Sequence, residues 1–184
     1  MNRLKFCTTL VVLAAACSML AGCSPTTSGT PEPTPSPGAG SGSKSPTATQ
    51  GVFGDLKACD LLDKGMESRG FTPSKPDQAG GPNSCFSEKS GYGEVSLSLH
   101  SGLGIKDFPA LDQSKIFDGD LNGRPAAEIH DGVRAEGDCM IAMAVGEKNR
   151  AIVNGALNTG TTAEACDFAK SIAKKIEPSL PKGN

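Results

Sequence analysis

Few side chains in this sequence have the types and spacing to do chemistry. His100 and His130 each fall on the polar phase of a strand-like stretch. Glu128, His130 and Asp131 together offer imidazole and carboxylate groups that could ligate a metal or act as a base if strands lie side by side. Polar residues on a solvated strand face are the commoner outcome of such a pattern. Asp118, Asp120 and Asp131 lack calcium-loop spacing and read as solubilising loop acids. Met140 and Met143 fall on opposite faces of a strand, which suits core filling better than copper binding. No GxSxG elbow, P-loop or HExxH occurs, and the glycine-rich run at 38–42 lies in a segment without an adjoining strand or helix. The expectation is a chain with no catalytic residue, no cofactor and no metal.

Cysteine is the residue type with the most to say. Residues 1–22 open with Arg3 and Lys5, continue with an apolar run over 6–20, and end Leu20-Ala21-Gly22 before Cys23. That run is 15 residues, short of the roughly 20 that a spanning helix needs. It reads instead as a signal peptide. The Leu-Ala-Gly-Cys quartet resembles the lipobox of bacterial lipoproteins. There the thiol takes a diacylglyceryl group at the membrane surface, and small residues before it let a signal peptidase reach the backbone. Two or more acyl chains, at about 0.8 kcal/mol per buried CH₂, make a stable anchor. The expectation is a lipidated Cys23 on the extracytoplasmic face of the cell membrane, with Cys7 and Cys17 lost along with the signal.

Residues 24–50 contain six prolines and 16 residues of Gly, Ser or Thr in 27 positions, with Glu32 and Lys44 the only charges. No apolar period is present to offset the entropy of ordering, so residues 23–50 are expected to be a lipidated Cys followed by a disordered tether. A coil of that length would reach about 30 Å, and the alternating prolines at 31, 33, 35 and 37 stretch it further.

The remaining 51–184 form the expected globular domain, large enough for one core. Its four cysteines, Cys59, Cys85, Cys139 and Cys166, are an even set in an oxidising compartment, and no CxxC pair argues for zinc or a thioredoxin-like centre. Of three connectivities, Cys59–Cys85 with Cys139–Cys166 is preferred, because each bridge then staples a terminal helix to a strand close in sequence.

The elements that must position these groups are legible to different degrees. Asp55 can cap a helix over 55–69 with Cys59, Leu62 and Met66 on one face and Gly70 at its end. Strands are expected over 83–88 and 94–100, where Val95, Leu97 and Leu99 alternate with Ser96, Ser98 and His100. Residues 105–117 read as a loop with a helical turn, because Pro109 interrupts their apolar positions. Asn122-Gly123 marks a turn, and 125–130 an edge strand that begins with Pro125. Residues 139–145 are apolar at nearly every position, as in a strand covered on both faces, and 150–157 follow as the next strand. The last helix has a Thr161/Glu164 capping box, an apolar stripe through Ala165, Phe168, Ala169, Ile172, Ala173 and Ile176, and Pro178 as its stop. The expected fold is α+β: an antiparallel sheet of four to five strands flanked by an N-terminal and a C-terminal helix, with two disulfides.

Composition narrows function further. Aromatic residues are 4% of the chain, with no Trp, which disfavours a base-stacking platform. The domain carries 19 acids against 15 bases and no basic run, so no nucleic acid is expected as a partner and membrane attachment must be covalent.

The lipobox and tether, Cys59-Asp60-Leu61-Leu62 near the domain start, Gly123-Arg124-Pro125-Ala126 before a strand, Cys139 in an apolar strand and Cys166 in a final helix ending Leu180-Pro181 together resemble an actinobacterial cell-envelope lipoprotein family. It is the group known as domain of unknown function three-five-five-eight. The resemblance covers about 53–181; a Trp often found after the second cysteine is Phe86 here. It implies an envelope location and paired disulfides, and brings no catalytic residues. The leading functional expectation is a non-catalytic binding or accessory module for an envelope protein partner or a small envelope ligand. The alternatives are an envelope hydrolase or metal-binding protein using His100 or His130, and a structural surface lipoprotein.

Overall fold

The computed structural model of the protein describes residues 51–182, Ala135 excepted. The expected signal peptide, Cys23 and the expected tether lie outside the described residues. The order of elements is α1 (Ala58–Met66), β1 (Lys75–Pro76), β2 (Ser84–Lys89), β3 (Gly93–Ser101), β4 (Ile116–Leu121), β5 (Arg124–His130), β6 (Asp138–Ala144), β7 (Asn149–Leu157) and α2 (Thr162–Ile176). The strands form one sheet in the order β1-β2-β3-β7-β6-β5-β4, with every neighbouring pair antiparallel.

The α+β class and antiparallel sheet stand as expected, but the sheet has seven strands rather than four to five. Both additional strands lie at edges. β1 is two exposed residues with a proline, too short to leave a period-two trace. β4 reads Ile-Phe-Asp-Gly-Asp-Leu, with four successive exposed positions, so the alternation that marks a half-buried strand is missing. Its presence moves β5 from the edge to the interior. Pro125 is tolerated there because the ladder to β6 begins one residue later, at Ala126 opposite Met143.

Both helices pack on one face of the sheet. Their apolar stripes, with Leu61, Leu62 and Met66 from α1 and Phe168, Ala169, Ile172 and Ile176 from α2, meet Val95, Leu97, Ile141, Met143 and Val153 in the main core. Two glycines permit the close approach. A Cβ on Gly65 would stand 3.0 Å from Ile172, and one on Gly155 would stand 2.9 Å from the Phe168 ring. Each helix is also tied to the structure by a disulfide: Cys59–Cys85 joins α1 to β2, and Cys139–Cys166 joins β6 to α2. This is the preferred pairing.

Helix starts differ in how they are capped. α2 has the expected capping box, with the Glu164 amide donating to Thr161 Oγ1 at 3.3 Å and the Thr161 amide donating to Glu164 Oε2 at 2.8 Å. α1 begins at Ala58 rather than Asp55, and the Ala58 amide donates instead to Asn83 Oδ1, 2.9 Å away and 25 residues on in sequence. The cap is tertiary, which is why local sequence misplaces it.

The opposite face of the sheet carries a smaller core of Phe108, Ala127, Ile129, Met140, Ala142 and Ile152. The 102–115 segment covers this half. Arg150 holds it down: Nη1 donates to the Gly104 and Asp107 carbonyls at 2.8 and 2.9 Å, and its guanidinium lies 3.9 Å from the Phe108 ring centre. Over β2, β3 and the middle of β7 that face carries a groove instead.

Candidate functional site

The alternation of strand residues sends the two histidines to opposite faces. His130 pairs in register with Cys139, whose sulfur is bonded to α2, so it stands on the helix face. Glu128 lies two residues earlier on the same face, and its Oε1 is 2.7 Å from His130 Nε2. Lys170, from α2, closes the set with Nζ 2.7 Å from Glu128 Oε2. Burial pushes the Glu128 carboxyl up, but the Lys170 and His130 contacts outweigh it and hold the group below the ordinary carboxylate range. Phe117, on β4, tilts against the His130 ring at 4.6 Å between centres and is half exposed. Behind them is the buried Cys139–Cys166 disulfide.

His100 stands on the other face, in its grooved half. A groove of about 560 Å³ there is lined by Ser96, Ser98, His100, Asn154, Met140 and Val133, among others, and walled by the 77–80 segment. Alternation explains the lining: the residues of β3 that point away from the helices are Ser96, Ser98 and His100, and their β7 partners in register are Asn154, Ile152 and Arg150. Burial, then the Arg150 charge, push the His100 imidazole below its ordinary value, which favours its neutral form. Two carboxylates stand at the rim: Glu94 is paired with Arg134 at 2.7 Å, and Asp77 Oδ1 accepts the Ala79 amide at 2.9 Å; Val133 is 70% exposed beside the opening.

A second cavity, about 680 Å³, opens at the far end of the sheet beside Arg124, Asn122, Ala144, Glu147 and Lys182. Its central cation is already engaged. Arg124 Nε donates to Glu177 Oε1 at 2.8 Å, Nη1 to the Ala144 and Pro181 carbonyls at 2.7 and 2.9 Å, and Nη2 to the Leu180 carbonyl at 3.2 Å. These contacts clamp the chain after α2 onto β5 and β6, a structural role.

The structure thus brings Glu128 and His130 together, as their spacing suggested, and separates Asp131 from them. Asp131 adopts φ 48° and accepts a hydrogen bond from Thr162 Oγ1 at 2.5 Å. Asp118 pairs with Lys106 at 2.8 Å, while Asp120 accepts the Gly123 amide at 3.3 Å in the β4–β5 turn. Met140 and Met143 fill the two cores, one on each side of the sheet. Lys170, Phe117, Asn154 and the clamp of Arg124 were not singled out from sequence. The heptad-like stripe of α2 could have flagged Lys170, which falls one residue after Ala169 at the stripe's border.

An antiparallel sheet with two helices on one face, braced by two disulfides, defines a disulfide-stapled α+β domain. Its family is shown by sequence: the chain belongs to the family described as protein of unknown function (DUF3558), whose model matches residues 18–179. No curated protein and no solved structure matches the chain. Among the described residues no helix is long and apolar enough to cross a membrane.

Proposed function

We propose that this protein is a cell-envelope lipoprotein of the kind found in actinobacteria, held to the outer face of the membrane by acyl chains on Cys23. In this reading its domain is a non-catalytic binding module whose ligand seat is the groove on the helix-free sheet face. The observation that carries this is the groove over Ser96, Ser98 and His100. Its volume falls in the range of small-ligand sites, and it combines an apolar floor (Ile152, Met140) and an apolar rim residue (Val133) with a few convergent polar groups. An imidazole biased towards its neutral form, two hydroxyls and an amide, with Glu94 paired to Arg134 and the Asp77 carboxylate at the wall, suit a small uncharged amphipathic envelope ligand better than an anion or a nucleic acid. Lipidation is supported by the Leu20-Ala21-Gly22-Cys23 quartet after a 15-residue apolar run. A leash of 27 residues would confine capture to a shell near the membrane, where effective concentration is high.

Native mass spectrometry on the full-length chain purified from its own envelope tests both parts. The expected result is an acylated Cys23 and a co-purifying small molecule that is lost in Ser96→Arg, which fills the groove from a half-buried position. An unmodified Cys23 would remove the anchor. A ligand retained by Ser96→Arg, or crosslinking only to a partner protein through another surface, would remove the groove.

A further inference from the structure

The Cys139–Cys166 bridge lies in a setting that the Cys59–Cys85 bridge lacks. Ligating atoms of Glu128, His130, Cys139 and Cys166 all lie within 4.8 Å of one another, the one such set among the described residues. Two come from consecutive same-face positions of β5, one from the β6 residue opposite His130, and one from α2. Each is placed by regular secondary structure rather than by a loop.

We propose that this bridge is the closed form of a redox-gated zinc site, in which Cys139, Cys166, His130 and Glu128 become four ligands once the disulfide is reduced. In the oxidised protein the two sulfurs are bonded to each other and cannot act as a thiolate pair. An external dithiol supplies the two electrons and two protons that cleave the S–S bond, and is itself converted to a disulfide. Zinc then binds both sulfurs as thiolates, and the two thiol protons leave to solvent.

Geometry and charge both favour the site. Zinc binds thiolate at about 2.3 Å and imidazole or carboxylate at about 2.0–2.2 Å, so ligand atoms of a tetrahedral centre stand about 3.5 Å apart. A set already within 4.8 Å needs to contract by little more than an ångström, while the two sulfurs part by a similar distance. Two thiolates and a carboxylate around Zn²⁺ leave one excess negative charge. Lys170, 2.7 Å from Glu128 Oε2, is placed to balance it. The Phe117 ring packs against His130 at 4.6 Å between centres and narrows the positions open to the imidazole.

The test uses the mature chain from the acylated Cys23 onward carrying Cys59→Ser and Cys85→Ser, so that Cys139 and Cys166 form the one disulfide to be opened and supply the only free thiols. It is compared oxidised and after anaerobic reduction by a phosphine, with cobalt(II) as spectroscopic probe and zinc as competitor. Expected are one equivalent of cobalt in the reduced protein alone, with tetrahedral d–d bands and sulfur-to-metal charge transfer, displaced by zinc. His130→Ala and Glu128→Gln, at partly exposed positions, should each weaken zinc binding more than about tenfold, the floor set by loss of even an outer-shell partner. Equal binding to oxidised and reduced protein, no binding to the reduced protein whether folded or not, or binding that neither variant weakens would each overturn the proposal. The last result would mean that the freed thiols alone hold the metal.

Discussion

His100 and His130 occupy opposite faces of one sheet: His130 stands opposite Cys139 under α2, and His100 faces the groove that the helices leave uncovered. A single metal or substrate therefore cannot touch both. The two imidazoles also have different surroundings, a carboxylate partner for one and a desolvating groove beside Arg150 for the other.

The groove histidine makes the first prediction. Burial, and then Arg150, lower the His100 pKa, so the folded protein resists a proton that the unfolded chain accepts near pH 6.5. Stability should fall as pH is lowered through that value and level off below the folded pKa. His100→Asn removes the titration. Urea unfolding at pH 8, 6.5 and 5 should show a smaller acid loss in the variant than in wild type; parallel losses would mean that His100 is not the group responsible.

Arg124 makes the second. Its side chain is 8% exposed and its partner Glu177 13% exposed, so the pair is withdrawn from water. Arg124→Met keeps much of the stem volume but takes the Arg124 donor from three carbonyls and from the part-buried Glu177 carboxylate, which keeps only its bond from Asn122. Removing one partner of such a pair costs about 3 kcal/mol, readable as a lowered urea midpoint with unchanged slope. Burial pushes Glu177 up, but Arg124, Asn122 and Lys182 together hold it below its ordinary 4.5. That stabilisation is present above 4.5 and lost as pH falls through the folded value, so the gap between variant and wild type should narrow in acid. A constant gap would point to lost packing rather than lost charge pairing.

These two side chains also show where sequence was enough and where it was not. Residues 94–100 alternate strictly, so the facing of His100 away from the apolar core could be read directly from Val95, Leu97 and Leu99. The capping box and stripe of α2 are local signals, and they place that helix within a residue. The partners of Arg124 are 20 to 57 residues away along the chain, and Lys170 meets Glu128 only because α2 packs across β5 and β6. Such contacts follow from topology, and topology was undercounted by the two edge strands. β4 carries Asp118, Gly119 and Asp120 where an interior strand would carry apolar residues, so nothing in its composition separates it from a loop. The spacing of Glu128 and His130 revealed their shared face; that two cysteines would join them depended on strand register and on the placement of α2.

Close packing of α2 on β7 gives a third prediction. A Cβ on Gly155 would meet the Phe168 ring at 2.9 Å, the Ala169 Cβ at 3.3 Å and the Ala165 carbonyl oxygen at 3.4 Å. An aromatic ring and a helix backbone cannot both give way by side-chain rotation. Gly155→Ala should therefore destabilise by about 1–3 kcal/mol, as overpacking typically does, whereas Gly119→Ala, with open space around it, should be close to neutral. Thermal melts of the two variants check this, and equal melting temperatures would mean that α2 can lift without cost.

Asp138 supplies the last prediction. The first residue of β6 is fully buried; its Oδ1 accepts the Val133 amide at 3.2 Å, and the Asn154 side chain and Gly132 amide lie beside the carboxylate without a well-formed bond to Oδ2. Burial raises its pKa, against the pull of the Val133 amide, the neighbouring Asn154 side chain and the Arg134 charge. A raised carboxyl contributes stability while protonated, fully present below the ordinary value of 3.8 and lost as pH rises through the folded pKa. At neutral pH the charge is a net cost. Asp138→Asn retains an oxygen for Val133 and removes the ionisation, so it should raise stability at pH 7 by about 1 kcal/mol, the scale of one unsatisfied buried polar group. The gain should shrink towards zero as pH approaches 3.5. A variant less stable than wild type at pH 7 would show that the ionised carboxylate is held by contacts strong enough to outweigh its burial, and that the start of β6 depends on the charge.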